Sequence, residues 1–321
     1  MHIEARDLVK TYPPGTRALD GLSLSIEAGE IFGLLGPNGA GKTTAIKVLT
    51  TLTRPDSGSA SVAGIDVLRH PDRVRRAIGV VAQRSGADPL ATGRDNLTLQ
   101  GRLYGMRGRA LHERVTELLS RFGLTEVAGR AVKTYSGGTQ RRLDVALGLV
   151  HRPAVLFLDE PTTGLDPEAR TALWQEISAL ATHERLTILL TTHYLEEADR
   201  LAGRLAIVDH GRVVVTGTPD GLKGELRGDA VHVALREAAE DSLVRKAIGT
   251  VAGVREVSLN GRALSARVDD GAAAVPAVLA ALDRAGTPAA TVTVARPSLD
   301  DVYLRHVGRR YTETAEPNGV K

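Results

Sequence analysis

One run of residues, 36–44, has the types and spacing that phosphate chemistry needs. It fits the pattern G-x-x-x-x-G-K-[ST] in full and consists of Gly36, Pro37, Asn38, Gly39, Ala40, Gly41, Lys42, Thr43 and Thr44. Glycines allow the tight turn that points backbone N–H groups at phosphate oxygens, and a helix N-terminus adds positive charge. We expect Lys42 to reach the β- and γ-phosphates and Thr43 to hold Mg²⁺. The alternative is a glycine-rich turn that holds no ligand.

A second candidate is a pair of carboxylates that follows an apolar segment, residues 155–158. A strand at this position places Asp159 at the carboxyl edge of a sheet beside the phosphate-binding run, where it can hold Mg²⁺ directly or through water. Glu160 faces elsewhere, and a carboxylate there can orient and partly deprotonate an attacking water. The alternative is a solvated acidic pair that caps the next turn.

Two further segments place polar groups at the ends of predicted elements. Ser136, Gly137 and Gly138 precede a helical run and offer N–H groups and a hydroxyl to an anion. Taken alone, Ser136 is better explained as a helix N-cap. His193 comes just after a predicted buried strand, 187–191, where an imidazole could contact a γ-phosphate, although a single histidine is usually structural.

The elements that position these residues alternate between short apolar strands and helices. The phosphate-binding run lies between a predicted buried strand, 31–35, and a predicted helix, 45–50, and helical spacing dominates residues 94–150. This alternation indicates a mainly parallel sheet covered on both faces. After a break at residues 216–219, the predicted order becomes β-α-β-β-α-β, which suggests a small ferredoxin-like module.

Length and composition narrow the function classes. A chain of 321 residues predicts two domains. There is no cysteine, which excludes disulfides and thiolate metal sites. Lys+Arg 41 against Asp+Glu 38 gives a net charge of +3, a small excess, so we expect no nucleic-acid partner. The first residues carry charges where a signal peptide needs an apolar core, and no apolar run is long enough to predict a membrane span.

Taken together, these segments resemble the nucleotide-binding subunit of an ATP-binding cassette (ABC) transporter over residues 2–222. The resemblance implies an α/β fold of the P-loop NTPase type, with a mainly parallel sheet, an antiparallel β region and a helical subdomain at about 84–150. The implied ATPase domain spans residues 1–222 and uses ATP and Mg²⁺ as cofactors. Its implied catalytic residues are Lys42, Glu160 and His193.

The resemblance also gives roles to residues around the phosphates and the base of the nucleotide. Gln83 would touch Mg²⁺ and the membrane partner, so the implied metal ligands are Thr43, Gln83 and Asp159. His193 would be the switch histidine of the family. Tyr12 would stack on adenine, and the alternative is a tyrosine packed beside the first strand.

Residues 136–138 would form the family signature, which contacts ATP across a dimer interface. Asp166 would be the central residue of the loop that couples the two sites of the dimer. The signature departs from its commonest form, since Tyr135 replaces Leu and Thr139 replaces Gln. The core that faces the phosphates is intact, so we expect these changes to affect how the following helix docks rather than ATP contact.

The segment 228–310 resembles the C-terminal part of exporter ATPases of the daunorubicin-resistance type, mainly through the motif at 296–304. The resemblance implies an accessory or regulatory domain, and a disordered tail is expected at 311–321. A compatible interpretation of the motif is a helix that Ser298 caps, with two following aspartates that complement the helix dipole.

The function that the resemblance implies is ATP hydrolysis that powers a membrane exporter of hydrophobic drug-like or lipid-like molecules. Its partners would be a separate membrane-spanning permease and a second ATPase subunit, placed head to tail, at the cytoplasmic face of the cell membrane. One alternative is a soluble ABC ATPase that acts on nucleic acid or ribosomes, although such proteins usually carry long coiled coils or two cassettes. Another is a regulatory module with an idle ATPase, against which Glu160 and His193 argue.

Overall fold

The computed structural model describes residues 1–226, 228–308 and 311, which fall into two compact units. The first unit contains residues 1–219 and Tyr311, and the second contains the described residues between 220 and 310. The tail expected to be disordered begins at residue 311. Its remaining residues, 312–321, lie outside the described residues. Within the described ranges, no helix combines the length and apolar character that a membrane crossing requires.

The first unit alternates strands and helices along the chain. Its strands are β1 (Ile3–Tyr12), β2 (Thr16–Ile26), β3 (Ile31–Leu35), β4 (Ser57–Val62), β5 (Ile65–Asp66), β6 (Ile78–Val81), β7 (Val155–Asp159), β8 (Thr187–Thr192), β9 (Arg204–Asp209) and β10 (Arg212–Gly217). Its helices are α1 (Lys42–Leu49), α2 (Pro71–Ala77), α3 (Gly93–Leu103), α4 (Gly108–Arg121), α5 (Gly137–Leu149), α6 (Pro167–Glu184) and α7 (Leu195–Leu201).

The central sheet has the strand order β10-β9-β3-β8-β7-β6. All neighbouring pairs from β9 to β6 are parallel, and β10 is antiparallel to β9. β3, β7 and β8 are buried at every position, in keeping with the apolar runs that form most of β3 and β7 and the centre of β8. Because these strands are parallel, their carboxyl ends meet at one edge, where Leu35 pairs with Thr192 and Asp159 pairs with Thr191.

A second sheet, with the order β2-β1-β4-β5, is antiparallel throughout and forms the predicted antiparallel β region. In β2, Leu22, Leu24 and Ile26 are buried while the intervening serines are more exposed, as period-two alternation requires. The predicted helical region consists of α3, α4 and α5, joined by turns and two short 3₁₀ segments, Thr125–Val127 and Val132–Thr134.

The helices of this unit end and pack for identifiable reasons. In α4 the buried residues recur at steps of three and four, which gives the helix one apolar face toward the core: Leu111, Val115, Leu118 and Leu119. α6 runs from Pro167 to Glu184. It stops at Arg185, whose backbone is left-handed with φ 52° and cannot continue the helix.

The second unit has the predicted order β-α-β-β-α-β. After α8 (Pro219–Gly224), its elements are β11 (Asp229–Leu235), α9 (Asp241–Ile248), β12 (Val254–Asn260), β13 (Ala263–Val268), α10 (Gly271–Arg284), β14 (Ala289–Ala295) and α11 (Leu299–Val307). The sheet order is β12-β13-β11-β14 with antiparallel neighbours, which confirms the ferredoxin-like arrangement. The β12–β13 turn contains Gly261 at φ 62°, a backbone conformation that glycine favours.

The motif at residues 296–304 begins α11 with a reciprocal cap. The Asp301 N–H donates to Ser298 Oγ at 3.2 Å, and the Ser298 N–H donates to Asp301 Oδ2 at 2.9 Å. Asp301 Oδ2 also lies 3.3 Å from the guanidinium of Arg267, a buried residue on β13. The motif therefore starts the helix and also ties it to the sheet of the second unit.

Candidate nucleotide site

A cavity of about 290 Å³ lies where the loops after β3, β6, β7 and β8 come together. The structure thus gathers in one place most of the phosphate-binding run and three residues distant from it in sequence. The residues that line the cavity are Asn38, Gly39, Ala40, Gly41, Lys42, Thr43, Thr44, Gln83, Glu160 and His193.

The loop between β3 and α1 is held in a tight turn by its own glycines. At Gly36, an added Cβ would lie 2.3 Å from the carbonyl oxygen of Val208, and at Gly41 it would lie 2.4 Å from that of Ala18. Gly41 also has φ 106°, so a residue with a side chain would be strained there. Lys42 is only 4% exposed, and its ammonium donates hydrogen bonds to the carbonyls of Gly36 at 2.7 Å and Pro37 at 3.2 Å.

Asp159, the last residue of β7, points at the start of α1. Its Oδ1 accepts hydrogen bonds from the hydroxyls of Thr191 at 2.6 Å and Thr43 at 3.2 Å. Two oxygen atoms that can act as metal ligands, Asp159 Oδ1 and the Thr43 hydroxyl, therefore lie next to each other where Mg²⁺ is expected. Oxygen is the ligand that Mg²⁺ prefers. Among the described residues there is no cluster of three or more His, Cys, Asp or Glu side chains that could hold a metal. This donor set fits a magnesium ion that also takes ligands from phosphates and water.

Glu160 turns away from Asp159 because its backbone adopts a left-handed conformation, with φ 48°. Such a conformation is uncommon for a residue with a side chain, and it recurs at functional sites. The Glu160 N–H donates to the carbonyl of Thr191 at 3.1 Å. Its Oε1 lies 3.2 Å from Lys42 Nζ and its Oε2 lies 3.1 Å from His193 Nδ1. The carboxylate thus lies between the lysine and the histidine.

This arrangement fixes the charge of Glu160. Burial alone would raise the pKa of Glu160, but its contacts with His193 and Lys42 outweigh burial and lower the pKa to about 2. Burial lowers the pKa of Lys42, and the charge of Glu160 opposes that change. Glu160 is therefore ionised at neutral pH, and its ionisation depends on both neighbours.

The predicted signature lies outside this cavity, at the junction of α5 and α6. Ser136 caps α5, because its Oγ accepts a hydrogen bond from the Thr139 N–H at 3.3 Å. Asp166 caps α6 in the same way, through the Ala169 N–H at 2.9 Å. The two helix starts touch, since a Cβ on Gly138 would fall 2.7 Å from the Cβ of Ala169. The structure therefore brings residues 136–138 close to the start of α6.

Comparison with known proteins decides the family. The ABC transporter family matches residues 19–163, and the family described as ATP-binding protein DrrA1-3-like, C-terminal domain, matches residues 217–307. A daunorubicin resistance ATP-binding protein, DrrA2 of Streptomyces coeruleorubidus, is 48% identical over 94% of this chain and 93% of its own length. The chain belongs to the ABC transporter family. The daunorubicin/doxorubicin resistance ATP-binding protein of Streptomyces peucetius is 45% identical over 98% of this chain and 96% of its own length.

Solved structures agree with this ABC assignment. The ATP-binding cassette MJ0796, solved as a dimer in a post-hydrolysis state with ADP and Pi, superposes with a TM-score of 0.62 and 26% identity. The match covers 67% of this chain and 98% of that cassette. The predicted fold class is confirmed, and the chain is an ATP-binding, ATP-hydrolysing subunit that works in transport. The alternatives of an idle module and of an ABC ATPase acting on nucleic acid are not supported by these relatives.

Gln83 and Tyr12, which are predicted to contact Mg²⁺ and adenine, differ in whether they line the cavity. Gln83 lines the cavity, as a ligand of Mg²⁺ would have to do. Tyr12, at the end of β1, does not line it, and the Nζ of Lys10 lies 5.7 Å from the centre of the Tyr12 ring. The adenine contact of Tyr12 stays a prediction. The unusual Tyr135 of the signature anchors its segment, because its hydroxyl donates to the carbonyl of Val127 at 2.7 Å.

A buried arginine next to the site was not predicted from the sequence. The guanidinium of Arg141, on α5, donates to the carbonyls of Pro161 at 2.7 Å, Ala82 at 2.6 Å and Asp159 at 3.2 Å. It therefore joins the signature helix to the chain segments that carry Gln83 and the two carboxylates. The only local signal is its position on the buried face of α5, four residues before the buried Val145.

Proposed function

We propose that this ABC subunit hydrolyses ATP in the described cavity and thereby powers export of hydrophobic, drug-like or lipid-like molecules. One observation carries the proposal. Lys42 lies at the start of α1, and Glu160 and His193 follow β7 and β8; together they form one chain of contacts at 3.2 and 3.1 Å beside the phosphate-binding loop. The export of drug-like molecules rests on the relatives, which are named for resistance to daunorubicin and doxorubicin.

The residues divide the chemistry among themselves. Backbone N–H groups of residues 36–44 and the Lys42 ammonium would hold the phosphates. Thr43, Asp159 and Gln83 would hold Mg²⁺, which neutralises developing negative charge. Glu160 would orient the attacking water and accept its proton.

The proton affinity of Glu160 would change when the nucleotide binds. Contacts with His193 and Lys42 hold the pKa of Glu160 low in this structure, against the effect of burial. When the ammonium turns toward phosphate oxygens, Glu160 loses a positive neighbour and gains a negative one, and both changes raise its pKa. We infer that ATP binding itself converts Glu160 from a partner of Lys42 into a general base, while His193 continues to hold its other oxygen.

A second copy of the chain would complete the site. Residues 136–138 lie outside the cavity that their own chain forms. Their N–H groups at the start of α5 are suited to an anion, and a head-to-tail partner would present them to the γ-phosphate. Removal of the γ-phosphate would break this bridge and let the pair reopen.

The proposed assembly places this subunit at the cytoplasmic face of the membrane, bound to a separate permease. Residues 1–222 would form the ATPase domain, and residues 228–310 would form an accessory or regulatory domain. The match of residues 217–307 to the C-terminal domain of DrrA1-3-like ATP-binding proteins supports a role within that group of transporters.

The test measures MgATP binding and phosphate release by the purified full-length chain. Lys42→Ala should lose ATP binding or turnover, and Glu160→Gln should still bind ATP but hydrolyse it on the order of 10²–10⁴-fold more slowly. Lys246→Ala and Glu113→Gln, at exposed positions, are the matched controls and should behave like the unmodified chain. Full activity in Lys42→Ala would refute the assignment of the loop, and unchanged turnover in Glu160→Gln would refute that of the base.

A further inference from the structure

A residue far from the nucleotide site in sequence contacts the backbone of the switch histidine. The hydroxyl of Tyr311 donates a hydrogen bond to the carbonyl oxygen of His193 at 2.9 Å. Tyr311 belongs to the first unit although it follows α11 in the chain. It is half-buried. The sequence resemblance gives this tyrosine no role.

The residues on either side of His193 are already fixed by other contacts. The carbonyl of Thr192 accepts a hydrogen bond from the Gly36 N–H at 3.3 Å, which joins the switch segment to the phosphate-binding loop. The Tyr194 N–H donates to Thr192 Oγ1 at 2.9 Å, and the guanidinium of Arg170 lies 4.6 Å from the centre of the Tyr194 ring. The Tyr311 hydroxyl adds a contact to the peptide group between these two anchored residues.

That peptide group controls where the imidazole of His193 points. The His193 Cα carries both this carbonyl and the imidazole, so a hydrogen bond to the carbonyl oxygen restrains the ψ angle of His193 and the direction of the Cα–Cβ bond relative to the peptide plane. The side chain of His193 is 8% exposed, and its Nδ1 lies 3.1 Å from Glu160 Oε2. Small displacements of a positioned group can lower a reaction rate substantially. A hydrogen bond that restrains the carbonyl therefore also restrains the backbone from which the imidazole reaches the carboxylate.

We infer that Tyr311 is a positioning residue for His193, which its phenol holds toward Glu160. The inference rests on the proposed function of the cavity. Tyr311 does not line the cavity, so it would act through His193 and not on the nucleotide.

The test compares Tyr311→Phe with the unmodified full-length chain, because this change removes only the hydroxyl. We expect kcat for MgATP to fall roughly two- to tenfold, the worth of one hydrogen bond, with KM unchanged. The matched control is Tyr104→Phe, since the Tyr104 ring stacks on His151 at 3.6 Å and the phenylalanine keeps that stacking. This control should leave kcat unchanged.

A double-mutant cycle separates positioning from general stability. In a His193→Ala background, Tyr311→Phe should have no further effect on single-turnover hydrolysis, because the side chain that Tyr311 positions is gone. An equal loss in both backgrounds, or no loss in either, would overturn the inference.

Hydrogen exchange provides a readout that does not depend on turnover. The backbone N–H groups of residues 193–195 should exchange faster in Tyr311→Phe than in the unmodified chain, while those of α1 should not change. Unchanged exchange at residues 193–195 would overturn the inference. Absence of MgATP hydrolysis by the unmodified chain would instead count against the proposed function.

Discussion

Replacing Glu160 with glutamine should destabilise the protein by an amount that the site geometry sets. Glutamine resembles the protonated carboxyl group, which cannot pair with Lys42. The pKa of Glu160 falls from 4.5 to about 2 in the folded chain. Each pKa unit corresponds to about 1.4 kcal/mol. The side chain is only 10% exposed, so solvent screens these contacts weakly. We therefore expect Glu160→Gln to lower the free energy of unfolding by about 3 kcal/mol at pH 7.

The pH dependence of this loss has a definite sign. Because folding lowers the pKa of Glu160, its contribution is complete above the ordinary value of 4.5 and is lost as the pH falls toward 2. The difference between the two proteins should therefore be constant from pH 6 to 8 and should shrink below about pH 4.5.

Urea unfolding followed by circular dichroism at several pH values measures this difference. Glu113→Gln is the control, because Glu113 is 59% exposed and pairs with Arg109 on the surface of α4, where such pairs contribute about 0–1 kcal/mol. A loss for Glu160→Gln no larger than that of the control would refute the reasoning. So would a difference that grows as the pH falls.

Three further changes test other parts of the structure. Burial raises the pKa of Glu197, so the free energy of unfolding should fall as the pH rises above the ordinary pKa of glutamate. Urea titrations should therefore show that Glu197→Gln is more stable than the unmodified chain at pH 8 but not at pH 4. Asp301→Ala removes a helix cap and leaves the buried Arg267 guanidinium without that partner, so chemical denaturation should show a loss of about 2–4 kcal/mol. Gly79→Ala would place a Cβ 2.2 Å from the carbonyl oxygen of Gly148. Overpacking of this kind costs about 1–3 kcal/mol, so the melting temperature should fall by several degrees.

The sequence predicts the fold of this chain well where the pattern is local. β3, β7 and β8 each contain a run of apolar residues, and strands of that kind are buried in parallel sheets. Because parallel strands align their carboxyl ends, residues at the ends of different strands, such as Asp159 and His193, are predicted to lie at one edge of the sheet. The cap formed by Ser298 is equally local, since its donor lies three residues away.

Contacts between distant parts of the chain carry no comparable signal. Sequence reasoning placed Glu160 away from Asp159 but could not show that a left-handed backbone turns it between Lys42 and His193. Arg141 and Tyr311 also escaped attention. Both donate hydrogen bonds to backbone carbonyls. Every residue has such a carbonyl, so the type of the accepting residue does not reveal the contact in the sequence.

The most direct test of the central claim is the mass of the Glu160→Gln protein in sedimentation with saturating MgATP. This variant should bind nucleotide without consuming it, and we expect a dimer that holds two ATP molecules. Adding Ser136→Glu should abolish the dimer, since a negative charge at the start of α5 would repel the γ-phosphate of the partner's ATP. A protein that stays monomeric with bound MgATP, or a double variant that dimerises equally well, would contradict the claim that two chains enclose the nucleotide.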